Sequence, residues 1–422
     1  RSVVAIHSRL MNLTLLAMPT MTRVRPFKNQ GGYAPHQIQA SENIADRIER
    51  DGFSALAGAP RSGKTATAIR VCELLHFDSV LVFTPKAAIP GWHSEIERTG
   101  TQVNLTITNY EQAHKLSGED YDFVILDESH RLGARGRPNK RFQNIRKVAW
   151  KHPLLIMSGT MVIESPLAIY HQQAISQHGP FRYKNFYEFW RRYGIPSTIN
   201  ISGHTIEQYN KSKPELDECI DEIVVTMTQA DAGIKGEAID QLHTVKLSAE
   251  TRELIAQARE GVLDIDGKEV LLESVISERL AIHQLEYGGL KINSKYWQTE
   301  NDEVADYILE TFGDHDKLAL MSHYVSTRQV FERKFKNARL LSSNAHAEGV
   351  DLSGYTLVVA GTDFSGAKHA QRRERGINMM RHGNVDVHFV VTSGGISREV
   401  YKTVTQKKDF NLALYRRWRD EQ

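Results

Sequence analysis

Cysteine is nearly absent from this chain of 422 residues, with only Cys72 and Cys219 present. Two thiols make no disulfide or metal framework, which suits a reducing compartment. Long apolar runs are missing too. None approaches the ~18 residues of a membrane-spanning helix, so no membrane partner is expected. There is no excess of one charge: 53 Lys and Arg stand against 51 Asp and Glu, for a net charge of +2. Without a global basic field, any nucleic-acid contact must come from local patches. There is no internal repeat and no low-complexity linker. The opening RSVVAIHSRLMNLTLLAM is basic and then apolar, like a signal peptide, but Arg9 breaks the stretch and no clear small-residue cleavage site follows. Position 1 is not Met, so residues 1–10 read as upstream sequence and Met11 as the expected natural start.

The length suits two or three domains. Short apolar runs, SVLVFTP (79–85), VNLTITNY (103–110), YDFVILDE (121–128) and PLLIMSGT (153–160), alternate with helical stretches. Such runs predict a parallel sheet covered on both faces. Residues 161–235 read as mostly helical, with no strand series. A second α/β series follows in KLALMSHY (317–324), NARLLSSN (337–344), YTLVVAGT (355–362) and VDVHFVVT (385–392), with 246–292 charged and helical. The expected division is an N-terminal extension over 1–28, a first lobe over 29–235 and a second over 236–422.

GAPRSGKTATAIRVCELL, from Gly58 to Leu75, fits G-x-x-x-x-G-K-T, with Gly58, Gly63, Lys64 and Thr65 in the fixed places and Arg61 between them. Glycines let backbone N–H groups turn inward around a phosphate. Lys64 then reaches the β- and γ-phosphates, and Thr65 offers its hydroxyl to Mg²⁺. The helix expected after Thr65 would place those phosphates at its N-terminus, where free amides and the dipole favour anions. VILDESH then ends a strand with Asp127, Glu128, Ser129 and His130. An acid at a strand end can hold Mg²⁺, and a second beside it can orient or deprotonate the attacking water. ATP and Mg²⁺ are therefore the expected substrate and cofactor.

Over residues 33–405 the order of pieces resembles the helicase superfamily 2 ATPases, specifically the Swi/Snf-type DNA translocases and their phage-type relatives. YAPHQIQA (33–40) is similar to the segment whose Gln reads adenine, here Gln37. FTPKAAIPGWHSEI (83–96) resembles motif Ia, with Lys86 and Trp92. ITNYEQ (107–112) resembles motif Ib, with Asn109. SGT (158–160) resembles motif III, in which Ser158 and Thr160 would couple nucleotide state to lobe closure, with His130 as a relay. MSHY (321–324) is similar to motif IV, with His323. NAHAEGVDLSG (344–354) is similar to motif V, with Gly349 and Asp351 toward ATP. QRRER (371–375) is similar to motif VI. The resemblance implies two RecA-like parallel-sheet lobes in tandem, with helical insertions and the nucleotide in the cleft between them.

The family places a catalytic arginine four positions after Gln371, which is Arg375, with Gln371 itself in coupling. A second arginine usually follows where Asn378 stands. Arg381, three further on, is the candidate substitute, and Arg372 is an alternative near the nucleotide. Met161 replaces the usual Pro after motif III. The short stretch between motifs IV and V implies a reduced second lobe.

RLGARGRPNKRFQNIRKVAWK (131–151) is basic and contains no acid. Arg135, Arg137, Lys140 and Arg141 lead the candidates for sequence-independent phosphate contact, and the resemblance implies Lys86, Trp92, Asn109 and His323 as further nucleic-acid contacts. Trp92, Tyr110 and Tyr324 read either as stacking groups or as core. The expectation is an ATP-dependent translocase on duplex or branched DNA, in phage or mobile-element replication, recombination or repair. Its expected location is the cytoplasm, the host's if phage-encoded. An RNA or single-strand helicase, or an ATP-switched loading or scaffold factor, remains the alternative.

Overall fold

The computed structural model describes residues 32–117, 120–159, 161, 165–201, 204–233, 236–265, 267–292, 295–299, 301–342, 352, 354–366, 369, 373, 383–406 and 410–421. Thr160, Gly349, Asp351, Gln371, Arg372, Arg375, Asn378 and Arg381 lie outside them, as do residues 1–31.

The chain enters through helix α1 (Pro35–Asp51), which Gly52 ends in a left-handed cap. Then come β1 (Phe53–Gly58), α2 (Lys64–Leu74), β2 (Ser79–Thr84), α3 (Ile89–Thr99), β3 (Asn104–Asn109), β4 (Phe123–Asp127), α4 (Lys140–Ala149) and β5 (Leu154–Ser158). A short helix α5 (Ile169–Gln173) precedes α6 (Phe186–Tyr193), the hairpin β6 (Ser197–Ile201) and β7 (His204–Gln208), α7 (Pro214–Ile223) and β8 (Val224–Met227). Six strands form one sheet in the order β3-β2-β4-β5-β1-β8, and every pairing in it is parallel.

Alternation along these strands sends side chains to both faces. Leu81 and Phe83 join a core with Phe142, Ile145, Ile169 and Phe189. Val80 and Val82 join the opposite core with Ile44, Ile69, Val71 and Trp92. With both faces covered, the strands can be continuously apolar, as expected for a parallel sheet.

A second parallel sheet has the order β15-β14-β16-β17-β9, built from β9 (Ala238–Lys246), β14 (Leu318–Ser322), β15 (Arg339–Ser342), β16 (Thr356–Ala360) and β17 (Val385–Ser393). Its faces carry two further cores, one around Ile308, Leu320 and Phe331 and the other around Met321, Val359 and Phe389. The helices described in this half include α8 (Ala249–Arg259), α9 (Val275–Leu285), α10 (Glu303–Phe312), α11 (Val325–Lys334), α12 (Ser397–Thr405) and α13 (Leu412–Asp420). Helices α8, α9, α12 and α13 enclose a core of their own around Leu263, Leu285, Val400 and Tyr415. The fold class is thus the expected one, parallel-sheet α/β in tandem.

Two readings need correction. Residues 161–235 are not free of strands: β6 and β7 form an antiparallel hairpin, and β8 pairs with β1 at the edge of the first sheet. Strand β8 escapes a pattern reading because its four residues follow α7 directly, Val224 coming next after Ile223, with no Gly, Pro or Asn to mark the change. Likewise, 246–292 contains the hairpin β10 (Val262–Ile265) with β11 (Lys268–Leu271), and a strand β12 (Gly289–Ile292) that pairs with β13 (Lys295–Gln298).

Candidate active site

The edge of the first sheet where β1, β4 and β5 end gathers most of the described candidate residues. Strand β1 ends at Gly58 and α2 begins at Lys64, so the intervening loop must turn within a few residues. It does so through positive φ at Arg61 (65°) and Gly63 (86°). A Cβ at Gly63 would collide with Gln37 Nε2, so glycine is needed for space as well as for φ. Gln37 is buried at 3%, and its Oε1 accepts from Ala34 N–H at 2.9 Å, at the entry to α1. Lys64 Nζ donates to Gly58 O at 2.9 Å, close to Gly159. Thr65, half-buried, sits in the first turn of α2. Ser62 Oγ is buried, with no hydrogen-bond partner among the described residues. An orphaned hydroxyl and a cation beside the open N-terminal amides of a helix are groups that phosphate oxygens would satisfy.

Asp127 closes β4 and is 7% exposed. Its Oδ2 accepts from Thr84 Oγ1 at 2.8 Å and from Trp92 Nε1 at 3.0 Å. Thr84 is in place because β2 and β4 pair in parallel, with Phe83 opposite Leu126. Burial pushes the Asp127 carboxyl above its usual range and the Glu128 charge adds to this, while Trp92, Lys64 and Thr84 oppose it. Tyr110, in the core at 2% exposure, donates its hydroxyl to Asp127 O. A carboxylate and the Thr65 hydroxyl are hard oxygen donors of the kind Mg²⁺ takes. The residues present therefore fit that ion.

Glu128 has φ 53° and ψ 47°, a left-handed conformation that costs an ordinary residue ~1–2 kcal/mol. The turn lifts its carboxylate off the strand line toward β5. Ser158 Oγ donates to Glu128 Oε2 at 3.4 Å. His130 Nδ1 lies 2.8 Å from that hydroxyl and 3.3 Å from Glu128 Oε2. A single polar chain, His130 to Ser158 to Glu128, thus joins the ends of β4 and β5.

Other candidates fall elsewhere. Lys86 is exposed on a short turn after β2. Asn109 uses its side-chain oxygen locally, accepting from Glu111 N–H and Gln112 N–H. Arg135 is half-buried, while Arg137 and Lys140 are exposed. Arg141 forms an ion pair with Glu111 at 2.7 Å. His323 packs its ring against Tyr324 in the second half of the chain. Tyr324 in turn hydrogen-bonds His283 Nδ1, which makes it part of a packed cluster rather than a stacking platform.

Trp92 does not suit a nucleic-acid contact. It is 1% exposed and its indole N–H is directed at Asp127, so no base can stack on it. It forms a wall of the acid site instead. Sequence reasoning also missed Thr84, and it missed Gln172, whose Oε1 accepts from Ser129 Oγ at 2.7 Å. A polar pair such as HQ inside an apolar stretch was the available signal for Gln172. In the QRRER stretch, Arg373 is ion-paired with Asp240 and donates to Ala238 O at 2.9 Å.

A strand, a glycine-bearing loop and a helix, with an acid pair at the end of a strand one place removed in the sheet, define a class of α/β folds suited to binding a phosphate-bearing ligand. No protein-family model matches the chain and no curated protein does. Two solved structures are similar. The Sulfolobus solfataricus SWI2/SNF2 ATPase core in complex with dsDNA has a TM-score of 0.42 and 16% identity, over 91% of this chain and 93% of that one. The SWI2/SNF2 ATPase core domain from the same organism has a TM-score of 0.42 and 13% identity, over 93% of this chain and 92% of that one. These values are too low to bear on function, which rests on the site itself.

Proposed function

We propose that the chain is a nucleic-acid-stimulated ATPase that moves along duplex or branched DNA, in phage or mobile-element DNA replication, recombination or repair. The observation that carries this reading is the convergence of Lys64, the buried Asp127 and the strained Glu128, the last wired to His130 and Ser158. Lys64 and the loop amides bind the β- and γ-phosphates, and Gln37 reads the base. Asp127 and Thr65 hold Mg²⁺, which when bound supplies charge neutralisation at the phosphates. Glu128 orients the attacking water and takes up its proton, and the His130–Ser158 pair keeps its carboxylate aimed.

An arginine from the second half stabilises the charge that spreads over the transferring group, typically worth ~10³–10⁵ in rate. Arg375 is the first candidate, with Arg381 or Arg372 in its place. The 131–151 stretch supplies phosphate contacts to the nucleic acid. Turnover measured with duplex DNA, single-stranded DNA and RNA tests the reading. Strong stimulation by duplex is the expected result. Stimulation by RNA or single strands alone would change the track. Nucleotide-dependent partner binding without any stimulation would replace the motor by a switch.

A further inference from the structure

Helix α5 has three consecutive polar residues that are almost fully buried: His171 at 2%, Gln172 at 0% and Gln173 at 1% exposure. Burying such groups is costly unless each is hydrogen-bonded. Each is bonded to a different segment. Gln172 Oε1 accepts from Ser129 Oγ at 2.7 Å, and its Nε2 donates to Met161 O at 2.8 Å and to Ala168 O at 3.2 Å. His171 Nδ1 lies 2.6 Å from Ala134 O. A carbonyl can only accept, so the proton is on Nδ1. Gln173 Nε2 donates to Phe181 O at 3.2 Å, and its Oε1 accepts from Phe181 N–H.

The segments reached are distinct in kind. Ser129 lies between Glu128 and His130, and Met161 follows the 158–160 segment. Ala134 belongs to the basic loop, and Phe181 leads into α6. The His171 ring is also fixed by Phe142 of α4, edge-on at 5.1 Å, and by Phe186, stacked at 5.7 Å. The left-handed turn at Glu128 persists only if its surroundings over-determine it. The Ser129–Gln172 bond is one of the contacts that hold it.

We propose that α5 is the coupling element of this protein: Gln172 positions the Glu128 turn, and His171 ties the basic loop to the same helix, so that nucleic acid bound on the loop acts on the water-orienting acid. Both are positioning residues. The inference rests on reading the chain as a nucleic-acid-stimulated ATPase.

Two substitutions separate the roles. His171→Phe keeps the ring packing and removes the donor to Ala134. Its turnover without DNA and its KM for ATP stay at wild-type values, while stimulation by duplex DNA falls about fivefold or more. His171→Asn, which can restore a donor, recovers most of that stimulation. Gln172→Met conserves volume and leaves Ser129 and Met161 O without their partner. Its kcat falls on the order of 10-fold to 10²-fold with and without DNA, at unchanged KM.

Full stimulation of folded His171→Phe by duplex DNA would overturn the coupling role, and wild-type kcat in Gln172→Met would overturn the clamp. A joint loss of kcat and KM with a lowered Tm would reduce both to structural residues. If His171→Phe does not fold, His171→Leu, which also lacks the donor to Ala134, takes its place: stimulation by duplex DNA falls while basal turnover holds, and full stimulation overturns the coupling role. Ser129→Ala gives a second test of the clamp, with kcat falling at constant KM if the clamp aims Glu128 and staying at the wild-type value if it does not. A wild-type protein that hydrolyses ATP but answers to no nucleic acid would defeat the motor reading, whereas Gln172→Met would still report on the clamp.

Discussion

Asp127 and Glu286 are both buried carboxylates, at 7% and 1% exposure, and both are pushed above the usual carboxylate range, chiefly by burial. Their surroundings differ. Glu286, just beyond α9, faces the N-terminus of α12. Its Oε1 accepts from Ile396 N–H at 2.7 Å and Ser397 N–H at 3.2 Å, and its Oε2 from Ser397 N–H at 3.1 Å and from the Thr392 hydroxyl. Helix amides and a hydroxyl thus meet its charge within the fold. Among the described residues Asp127 has two side-chain donors, both on Oδ2, and a second acid next to it disfavours its ionisation. A buried acid that the fold surrounds with donors is a joint. One left short of them, beside another acid, is set to meet a cation from outside.

The largest effects should separate the two acids by function. Glu128→Gln should lower turnover roughly 10²- to 10⁴-fold while leaving ATP binding nearly intact, because in the proposed mechanism that acid acts on water rather than on the ground state. Lys64→Ala should lose nucleotide binding and turnover together. Asp127→Asn should abolish turnover yet leave the ligand-free protein at least as stable as wild type, since the substitution removes a disfavoured buried charge. Steady-state kinetics, nucleotide titration and thermal melting check these. Were Glu286→Gln to cost as much turnover as Glu128→Gln at unchanged Tm, the contrast between the acids would collapse.

The same contrast explains what could be read in the sequence. The apolar runs of β2, β4, β5 and β14 are legible because a doubly covered parallel strand has little choice but continuous Val, Ile and Leu. The Gly58–Thr65 loop and the Asp127–Glu128 pair are legible because each packs its chemistry into neighbouring positions. Trp92 was misplaced because its partner, Asp127, lies 35 positions away in sequence, and only the meeting of α3 with the end of β4 shows that the indole faces inward. Gln172 carries only the weak signal of a polar pair in an apolar stretch, and its role is hidden for a similar reason: its bond to Ser129 spans 43 positions. Glu286 reads as one more charge in a charged helical stretch, because the amides that hold it come from Ile396 and Ser397, far along the chain.

A smaller effect concerns stability at the joint. Glu286→Ala would strand the Ile396 and Ser397 amides and the Thr392 hydroxyl in a buried space. The expected loss is about 3 kcal/mol, from unsatisfied donors and an unfilled volume. Denaturant unfolding of the whole chain measures it. Glu286→Gln keeps the volume and an acceptor, and should lose less.

The pH dependence carries a definite sign. The Glu286 carboxyl is raised from 4.5 to about 7 in the folded protein. The contribution of its protonated form is therefore fully present below about pH 4.5 and is lost as pH rises through 7. The Tm difference between wild type and Glu286→Gln should shift against wild type across that window and flatten above it. Asp127 is also raised, with the same sign. Mg²⁺ with ADP should relieve its penalty and leave that of Glu286 untouched, so the nucleotide-induced rise in Tm of wild type should disappear in Asp127→Asn but persist in Glu286→Gln.

The smallest effect tests the same distinction between partnered and unpartnered charge on the surface. Arg141 is held by Glu111 at 2.7 Å, whereas Arg137 is exposed and has no ion pair among the described residues. A phosphate must compete with Glu111 for Arg141 but not for Arg137. If the 131–151 stretch lies on nucleic acid, Arg137→Ala should reduce the slope of log affinity against log salt by ~0.9, the value of one lost phosphate contact on duplex DNA. Arg141→Ala should reduce it by less, and Glu111→Gln should steepen it by releasing Arg141. The quadruple change of Arg135, Arg137, Lys140 and Arg141 to Ala should then exceed any single variant, weakening binding evenly across sequences. Equal slopes for the Arg137 and Arg141 variants would mean that the ion pair does not hold Arg141 back. An unchanged slope in the quadruple variant would make the stretch a solvated face and move the nucleic acid elsewhere on the protein.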